Sequence, residues 1–262
     1  EERKEKRENI RKEKILDFKE NNLHLMGYSI PFEGKLSFKE LEKKIKYIKS
    51  KPNTIPYTTS YYKKNWSFNM TYNSFKKMKK NEDYFVKIDS KFSKGFMNYG
   101  EIYLPGKSKK EILFSTYICH PSMANNELSG PVVSIFLSKW LSKKKNYYSY
   151  RFIFIPETIG SIYYINKNIN HLKKNVLSIF NVNCVGDVKN TSLLGTKYGN
   201  LSVDKLVQNI LNKNKINFKQ YSWEDRGSDE RQYMSPGVDI PTVSLMSSKY
   251  REYSEYHTSD DN

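Results

Sequence analysis

The chain has 262 residues, a net charge of +17 and only two cysteines. It is long enough to bury one substantial core with a smaller appended unit, and it contains no apolar run long enough to cross a membrane. Two cysteines cannot form a disulfide framework, so the composition predicts a reduced, cytoplasmic protein.

The positive charge is spread along the chain in runs rich in lysine and asparagine, such as SKKKN and KKMKKN. No zinc-finger spacing, glycine-rich phosphate loop or RNA-binding aromatic signature accompanies these runs. A nucleic-acid interface requires a basic stripe on a recognisable fold. A compositional bias therefore explains the charge better, and we expect no nucleic-acid partner.

The first half of the chain predicts a tail and a small domain. Residues 1–14 alternate Lys or Arg with Glu, which indicates a solvated tail. Residues 15–107 contain short segments in which aromatic or β-branched residues alternate with polar ones, punctuated by Pro and Gly. One helix is predicted over Ser37–Ser50, because Ser37 and Glu40 form a capping-box pattern. We expect a small β-rich accessory domain that ends near Gly106.

From Glu111 onward, apolar strands alternate with longer helical stretches, which is typical of an α/β sheet with partly parallel order. The predicted strands are Ile112–Tyr117, Phe152–Ile155, Leu177–Asn183 and Pro241–Leu245. The predicted helices are Val132–Ser142, Gly160–Asn168 and Leu201–Asn212. Residues 108–262 are therefore assigned to a second, α/β domain.

Two histidines in this second domain each end a strand-like segment among acidic or amide residues. His120 follows the first strand and precedes Asn126 and Glu127, whereas His257 lies in the segment SEYHTSDD. Ligands in open α/β sheets gather at strand ends. We therefore expect His120 and His257 to share a metal ion.

Acidic residues follow three further strand-like segments. Glu157 comes after RFIFIP, Asp187 after LSIFNVNCVG, and the triplet Asp229, Glu230 and Arg231 precedes the last strand. Each has a simpler explanation, since Glu157 could stabilise a helix N-terminus and Asp187 could be a turn residue. However, these acidic residues and the two histidines all lie at strand ends of one sheet, which favours a shared functional site.

Imidazole and carboxylate ligands without CxxC pairs favour zinc in an open, catalytic site, whereas Ca²⁺ or Mg²⁺ would use oxygen ligands alone. Cys119 and Cys184 lie at odd offsets from His120 and Asp187. An odd offset on an extended strand places side chains on opposite faces, so both cysteines are interpreted as packing residues.

The blocks CHPSMANNELSG, FIPETIGS, CVGD, GSDERQYMSPG and EYHTSDDN occur in this order. They resemble the aminopeptidase-like domain of bacterial proteins linked to polysaccharide biosynthesis, and the resemblance extends over nearly everything from about residue 15. It implies a fold similar to zinc aminopeptidases and glutaminyl cyclases, which is a mixed twisted sheet flanked by helices. Family members usually carry more chain at both ends, so the resemblance raises the prospect that this chain is a fragment.

The resemblance also implies roles. His120, Asp187 and His257 match metal ligands of the two-zinc aminopeptidases, and Glu157 matches the general base. Asp229 and Glu230 match a pair that lines the substrate pocket.

Two departures from the family pattern argue for one zinc ion rather than two. Asn126 stands where the two-metal enzymes have a bridging aspartate, and Thr158 stands where they have a ligand glutamate. A neutral amide binds zinc far less well than a carboxylate does. We therefore expect His120, Asp187 and His257 to hold one zinc, with Glu127 as a further oxygen ligand or a partner of a histidine, and Asn126 to contact the substrate.

The resulting hypothesis is a zinc-dependent hydrolase of a peptide-like or N-acyl amide bond in a peptide or glycoconjugate, with Glu157 as the base and Arg231 holding a substrate carboxylate. The competing hypothesis is a degenerate, non-catalytic metal-binding scaffold, which the missing bridging carboxylate favours. The sequence leaves the substrate and the oligomeric state open.

Overall fold

The computed structural model describes residues 14–261, so the charged tail predicted for residues 1–14 lies outside the described residues except for Lys14. The described chain divides into two compact units. The first contains the residues up to Gly95 together with His257–Asp261, and the second contains Phe96–Tyr256. None of the helices within residues 14–261 is long and apolar enough to cross a membrane.

The first unit is built from two small strand pairs. Strand β1 (Phe32–Ser37) pairs antiparallel with β4 (Asp83–Ile88), and β2 (Ile45–Lys46) pairs parallel with β3 (Phe68–Asn69). Two short helices, α1 (Phe38–Leu41) and α2 (Tyr72–Lys77), accompany them. The core of this unit contains Phe38, Leu41, Ile45, Trp66, Met70, Met78, Val86 and Ile88.

The helix predicted over Ser37–Ser50 is wrong beyond its first turn. The capping box forms as expected, since the Ser37 main-chain N–H donates to Glu40 Oε2 at 2.9 Å. However, α1 ends at Leu41, a 3₁₀ turn follows, and Ile45 enters strand β2. Main-chain pairing of Ile45 with Phe68, combined with burial of its side chain, outweighs the local helical preference.

The second unit contains a seven-stranded mixed sheet with the order β10-β9-β11-β8-β6-β7-β5. Four neighbouring pairs are parallel, and the β11–β9 and β5–β7 pairs are antiparallel. The strands are β5 (Gly100–Leu104), β6 (Glu111–Tyr117), β7 (Ser149–Ile155), β8 (Val176–Asn181), β9 (Ser192–Leu194), β10 (Lys219–Tyr221) and β11 (Thr242–Met246). The predicted α/β fold with a mixed sheet is confirmed.

Helices lie on both faces of this sheet. They are α3 (Ser129–Leu141), α4 (Ile159–Asn175), α5 (Ser202–Lys213) and the short α6 (Glu230–Tyr233). Leu113 packs in one core cluster with Ile165 and Leu172 of α4. Thr116 lies three positions further along β6, so its side chain is on the opposite face, where it approaches Gly130 of α3. The α3 and α4 helices therefore cover opposite faces.

Helix α3 contacts the sheet through small residues. Gly130, Ser134 and Ser138 are buried, whereas Phe136 and Trp140 are exposed. A Cβ atom on Gly130 would lie 2.3 Å from the main-chain oxygen of Val182, so only glycine permits this approach. This close contact holds the loop that precedes α3 against the end of the sheet.

Three strands of the large sheet were not assigned to it from the sequence. Strands β9 and β10 have only three residues each and lack an extended apolar run. Strand β5 alternates aromatic and polar residues, a pattern it shares with the first unit, but it pairs with β7 at the sheet edge. The division of the chain therefore falls at Gly95, before the predicted boundary at Gly106.

Candidate metal and catalytic site

Two neighbouring parallel strands, β6 and β7, bring the first candidate residues together. The two strands run in register from Glu111 and Ser149 to Tyr117 and Ile155. His120 follows the end of β6, and Glu157 follows the end of β7. Because the strands are parallel, both side chains emerge at the same edge of the sheet. His120 Nε2 lies 3.8 Å from Glu157 Oε2.

Glu127 orients the imidazole of His120. Its Oε2 atom accepts a hydrogen bond from the His120 main-chain N–H at 3.0 Å and lies 3.1 Å from His120 Nδ1. Glu127 belongs to a π-helical turn over Ala124–Leu128 that leads into α3. Burial alone would lower the pKa of His120, but hydrogen bonds to Cys119 and Glu127 outweigh it and raise this pKa to about 10.

The two carboxylate oxygens of Glu157 have different surroundings. Ser228 Oγ donates to Oε1 at 2.7 Å, while Oε2 faces His120. Burial raises the pKa of Glu157, although the hydrogen bond from Ser228 and the charge of His120 oppose this shift. A carboxylate with a raised pKa is suited to accept a proton from water and to release it again.

Thr158, directly after Glu157, has a strained main chain. Its φ of 66° and ψ of −67°, together with the Ile159 N–H donating to the Glu157 carbonyl at 2.8 Å, define a γ-turn of the positive-φ form. A β-branched residue rarely adopts a positive φ. Asp229 Oδ1 fixes this turn by accepting from Thr158 N–H at 2.8 Å and from Ser161 Oγ at 2.7 Å.

Glu230, next to Asp229, is part of a buried hydrogen-bond network. Its Oε1 accepts from the main-chain N–H groups of Gly227 and Ser228 at 2.8 Å and from Tyr250 Oη at 3.0 Å. Asn181 Nδ2 donates to its Oε2 at 2.9 Å. Asp229 and Glu230 both have 0% exposed surface, so contact with a substrate would require this turn to move. Their substrate-binding role stays a prediction.

Asn126 and Asp187 both lie in hydrogen-bonded surroundings near the turn that carries Glu127. Asn126 is buried and donates to Tyr117 Oη at 2.7 Å. Asp187 accepts from Asn125 Nδ2 at 2.8 Å and from Ser248 Oγ at 3.0 Å. Metal ligation by Asp187 and substrate contact by Asn126 stay predictions.

His257 and Arg231 complete the predicted set. His257 belongs to the first unit, where its main-chain oxygen accepts from Tyr57 N–H at 2.9 Å and its ring meets Tyr57 edge-on at 5.0 Å. Its role as a metal ligand stays a prediction. The Arg231 Nε atom donates to the Ser228 carbonyl at 3.2 Å, and its side chain is exposed beside the turn that carries Ser228.

A family model described as Domain of unknown function (DUF4910) matches residues 20–262. The chain belongs to the DUF4910 family. It is 44% identical over 254 residues to a Clostridium acetobutylicum protein provisionally named a polysaccharide biosynthesis protein with an aminopeptidase-like domain. The match covers 97% of this chain and 58% of that protein, so the chain spans under two thirds of the relative's length.

Solved structures with the same fold include peptidases. A crystal structure provisionally described as a peptidase from Clostridium acetobutylicum has a TM-score of 0.91 at 44% identity, over 95% of this chain and 58% of that one. The zinc aminopeptidase BSAP from Bacillus subtilis has a TM-score of 0.57 at 17% identity, over 87% of this chain and 62% of that one. The second similarity shows the fold alone, and the predicted aminopeptidase-like fold is confirmed.

In this DUF4910 chain, Cys119 was interpreted from the sequence as a packing residue, but its sulfur faces the candidate site. Cys119 Sγ lies 3.3 Å from His120 Nδ1 and accepts from the Glu157 main-chain N–H at 3.2 Å. The alternation of faces holds only within a strand, and β6 ends at Tyr117. Beyond that point, adjacent side chains can share a side. Cys184 lies in a buried apolar cluster, as expected.

The donor chemistry fits a zinc ion. Among residues 14–261, the ligand atoms of Cys119, His120 and Glu127 lie within 4.8 Å of one another. Sulfur, imidazole nitrogen and carboxylate oxygen are the donors that zinc uses in proteins. Asp187 is outside this group, and both of its oxygens already accept hydrogen bonds.

Proposed function

We propose that the second unit is a zinc-dependent hydrolase that cleaves a peptide-like or N-acyl amide bond. The observation that carries this proposal is the pairing of His120 and Glu157, 3.8 Å apart at the ends of adjacent parallel strands. This pairing occurs in a fold shared with a zinc aminopeptidase. An imidazole and a partly buried carboxylate at one strand edge form the core of a metal-assisted hydrolytic site.

One zinc ion would be held by His120 and Glu127, with Asp187 as a further proposed ligand. Zinc supplies a Lewis acid for the substrate carbonyl and lowers the pKa of water. The amide of Asn126 donates to Tyr117 and contributes no charge for a second ion. This supports one ion rather than two.

Glu157 would act as the base through its Oε2 atom, which faces His120. Ser228 holds Oε1, so the carboxylate cannot rotate without losing that hydrogen bond. The proton taken from water would return from Oε2 to the leaving amine. The strained turn at Thr158, fixed by Asp229, keeps the carboxylate directed toward His120.

The substrate class follows from the name of the relative and from the exposed arginine. Arg231 can bind a carboxylate in bidentate geometry. A role in polysaccharide or glycoconjugate biosynthesis is carried over from the relative's name alone. Among the described residues, neither Cys119 nor Cys184 forms a disulfide, which fits a reducing compartment, and we propose that the protein acts in the cytoplasm.

Metal analysis and the Glu157→Gln variant test the proposal. The purified chain should carry about one zinc per molecule and hydrolyse members of a panel of aminoacyl and N-acyl amides. Glu157→Gln should lose at least about 100-fold in kcat while it keeps its zinc, because the amide cannot accept the proton. Glu224→Gln, at an exposed position, is the matched control and should retain full activity.

A non-catalytic metal-binding scaffold is the second candidate, because Asn126 and Thr158 replace two carboxylates of the two-metal enzymes. In that case Glu157→Gln would change neither zinc content nor the binding of a pathway partner, and the whole substrate panel would remain uncleaved. A chain that binds no zinc, even when the metal is supplied, would overturn both candidates.

A further inference from the structure

We propose that Cys119 supplies a thiolate ligand to the zinc, beside His120 and Glu127. This inference rests on the proposed function only in requiring that the site binds zinc. Cys119 Sγ lies 3.3 Å from His120 Nδ1, and Glu127 Oε2 lies 3.1 Å from the same atom. Bond lengths of about 2.0–2.3 Å separate two tetrahedral zinc ligands by roughly 3.3–3.7 Å. These two contacts are within a few tenths of an ångström of that range, and all three ligand atoms lie within 4.8 Å of one another.

The main chain of Glu157 contacts the sulfur and fixes its position. The Glu157 main-chain N–H donates to Cys119 Sγ at 3.2 Å. The thiolate is the form of a cysteine that binds metals. The same contact joins the sulfur to the main chain of the proposed base, so it fixes Cys119 relative to Glu157.

Glu127 is already oriented for the same role. The His120 main-chain N–H donates to Glu127 Oε2 at 3.0 Å, which directs this oxygen to the Nδ1 side of the imidazole. The side chain of Glu127 is 10% exposed and that of His120 is 6% exposed, so both donors are largely shielded from bulk water. An ion bound there would meet few competing water molecules.

Charge balance explains why a sulfur ligand suits this chain. A thiolate from Cys119 and a carboxylate from Glu127 together neutralise a divalent ion. Asn126 adds no charge, and its amide donates to Tyr117. Asp187 already accepts hydrogen bonds from Asn125 and Ser248. The thiolate would therefore supply negative charge that the neutral amide of Asn126 cannot.

Cobalt spectroscopy on the full chain tests the proposal without an activity readout. The chain is stripped with a chelator and titrated with Co²⁺ alone. A thiolate bound to Co²⁺ gives an intense near-ultraviolet charge-transfer band in addition to the weak visible d–d bands. The wild type and Cys184→Ser should show both features. Cys119→Ser should lose the near-ultraviolet band and bind Zn²⁺ at least tenfold more weakly in a competition with a chromophoric chelator.

If Cys119→Ser folds poorly, the rate of thiol alkylation in the wild-type protein provides a second test. In the wild type, Zn²⁺ should slow alkylation of the Cys119 thiol at least tenfold, as followed by mass spectrometry of the modified peptide. Visible d–d bands without the near-ultraviolet band, or unchanged alkylation with Zn²⁺ bound, would overturn the thiolate ligand and leave the hydrolase proposal intact. Failure of the wild type to bind Co²⁺ or Zn²⁺ would overturn both.

Discussion

Glu230 offers the sharpest test of the difference between a structural and a substrate-binding carboxylate. It is fully buried and accepts from Gly227 N–H, Ser228 N–H, Tyr250 Oη and Asn181 Nδ2. Glu230→Ala would remove this acceptor from all four donors, of which Asn181 Nδ2 and Tyr250 Oη keep Ser244 Oγ and the Asp225 carbonyl, each at 3.3 Å, as alternatives. A buried donor that loses its partner costs about 1–3 kcal/mol, and removal of one partner of a buried charged network costs about 3–5 kcal/mol.

We therefore expect Glu230→Ala to lower the free energy of unfolding by about 4 kcal/mol, because water can satisfy only some of the stranded donors. This is a large fraction of the roughly 5–15 kcal/mol that stabilises an ordinary domain. With an m-value of about 3 kcal/mol/M, the urea midpoint should fall by about 1.3 M at an unchanged slope. Urea titrations followed by circular dichroism measure this shift.

Glu224→Ala is the matched control, because Glu224 lies in the same segment but its side chain is 84% exposed. Its stability should stay within about 0.5 kcal/mol of the wild type. Equal urea midpoints for Glu230→Ala and Glu224→Ala would refute the structural role. If Glu230→Ala raised KM and left the urea midpoint unchanged, the predicted contact with substrate would be supported instead.

Three further predictions concern the same unit. Gly130→Ala should cost about 2 kcal/mol in urea titrations, because its Cβ would lie 2.3 Å from the Val182 oxygen; a gain in stability, as at an open helix site, would contradict this. Thr158→Gly should gain about 1 kcal/mol by relieving a φ of 66°, so an unchanged or lower urea midpoint would argue against strain. Burial raises the pKa of Asp229 from 3.8 to about 7, so the folded state keeps a proton that the unfolded chain releases. The contribution of Asp229 to stability is therefore fully present below about pH 4 and is lost as the pH rises to 7, by at most about 4 kcal/mol. Asp229→Asn should flatten this profile in urea titrations between pH 4.5 and 7.5, and an identical slope in both proteins would rule the assignment out.

The strands and helices that build the large sheet could be predicted where burial leaves a periodic signal. The strand predicted over Ile112–Tyr117 corresponds to β6, and the helix predicted over Leu201–Asn212 corresponds to α5. Each has a buried apolar set with the matching period. Strand β10 carries no such signal, because KQY is short and only Tyr221 is buried.

The same limits apply to the candidate site. Strands that each end in a polar residue predicted a cluster of acidic and imidazole groups at one edge of the sheet, and His120 and Glu157 lie 3.8 Å apart there. The position of Cys119 could not be predicted, because it depends on where β6 stops and not on the alternation within it. The burial of Asp229 and Glu230 depends on a turn whose donors come from several separate elements.

The sequence by itself determined the α/β class, the elements with a strong apolar period and the strand ends at which polar residues such as His120 and Glu157 lie. These features depend on local hydrophobic patterning and on the geometry that all parallel sheets share. Only the tertiary structure decided that Ile45 lies in a strand and not in the predicted helix, and that the sulfur of Cys119 faces the imidazole of His120. Both outcomes depend on contacts between residues distant in the chain, or on the point at which a strand ends, and the local pattern contains neither.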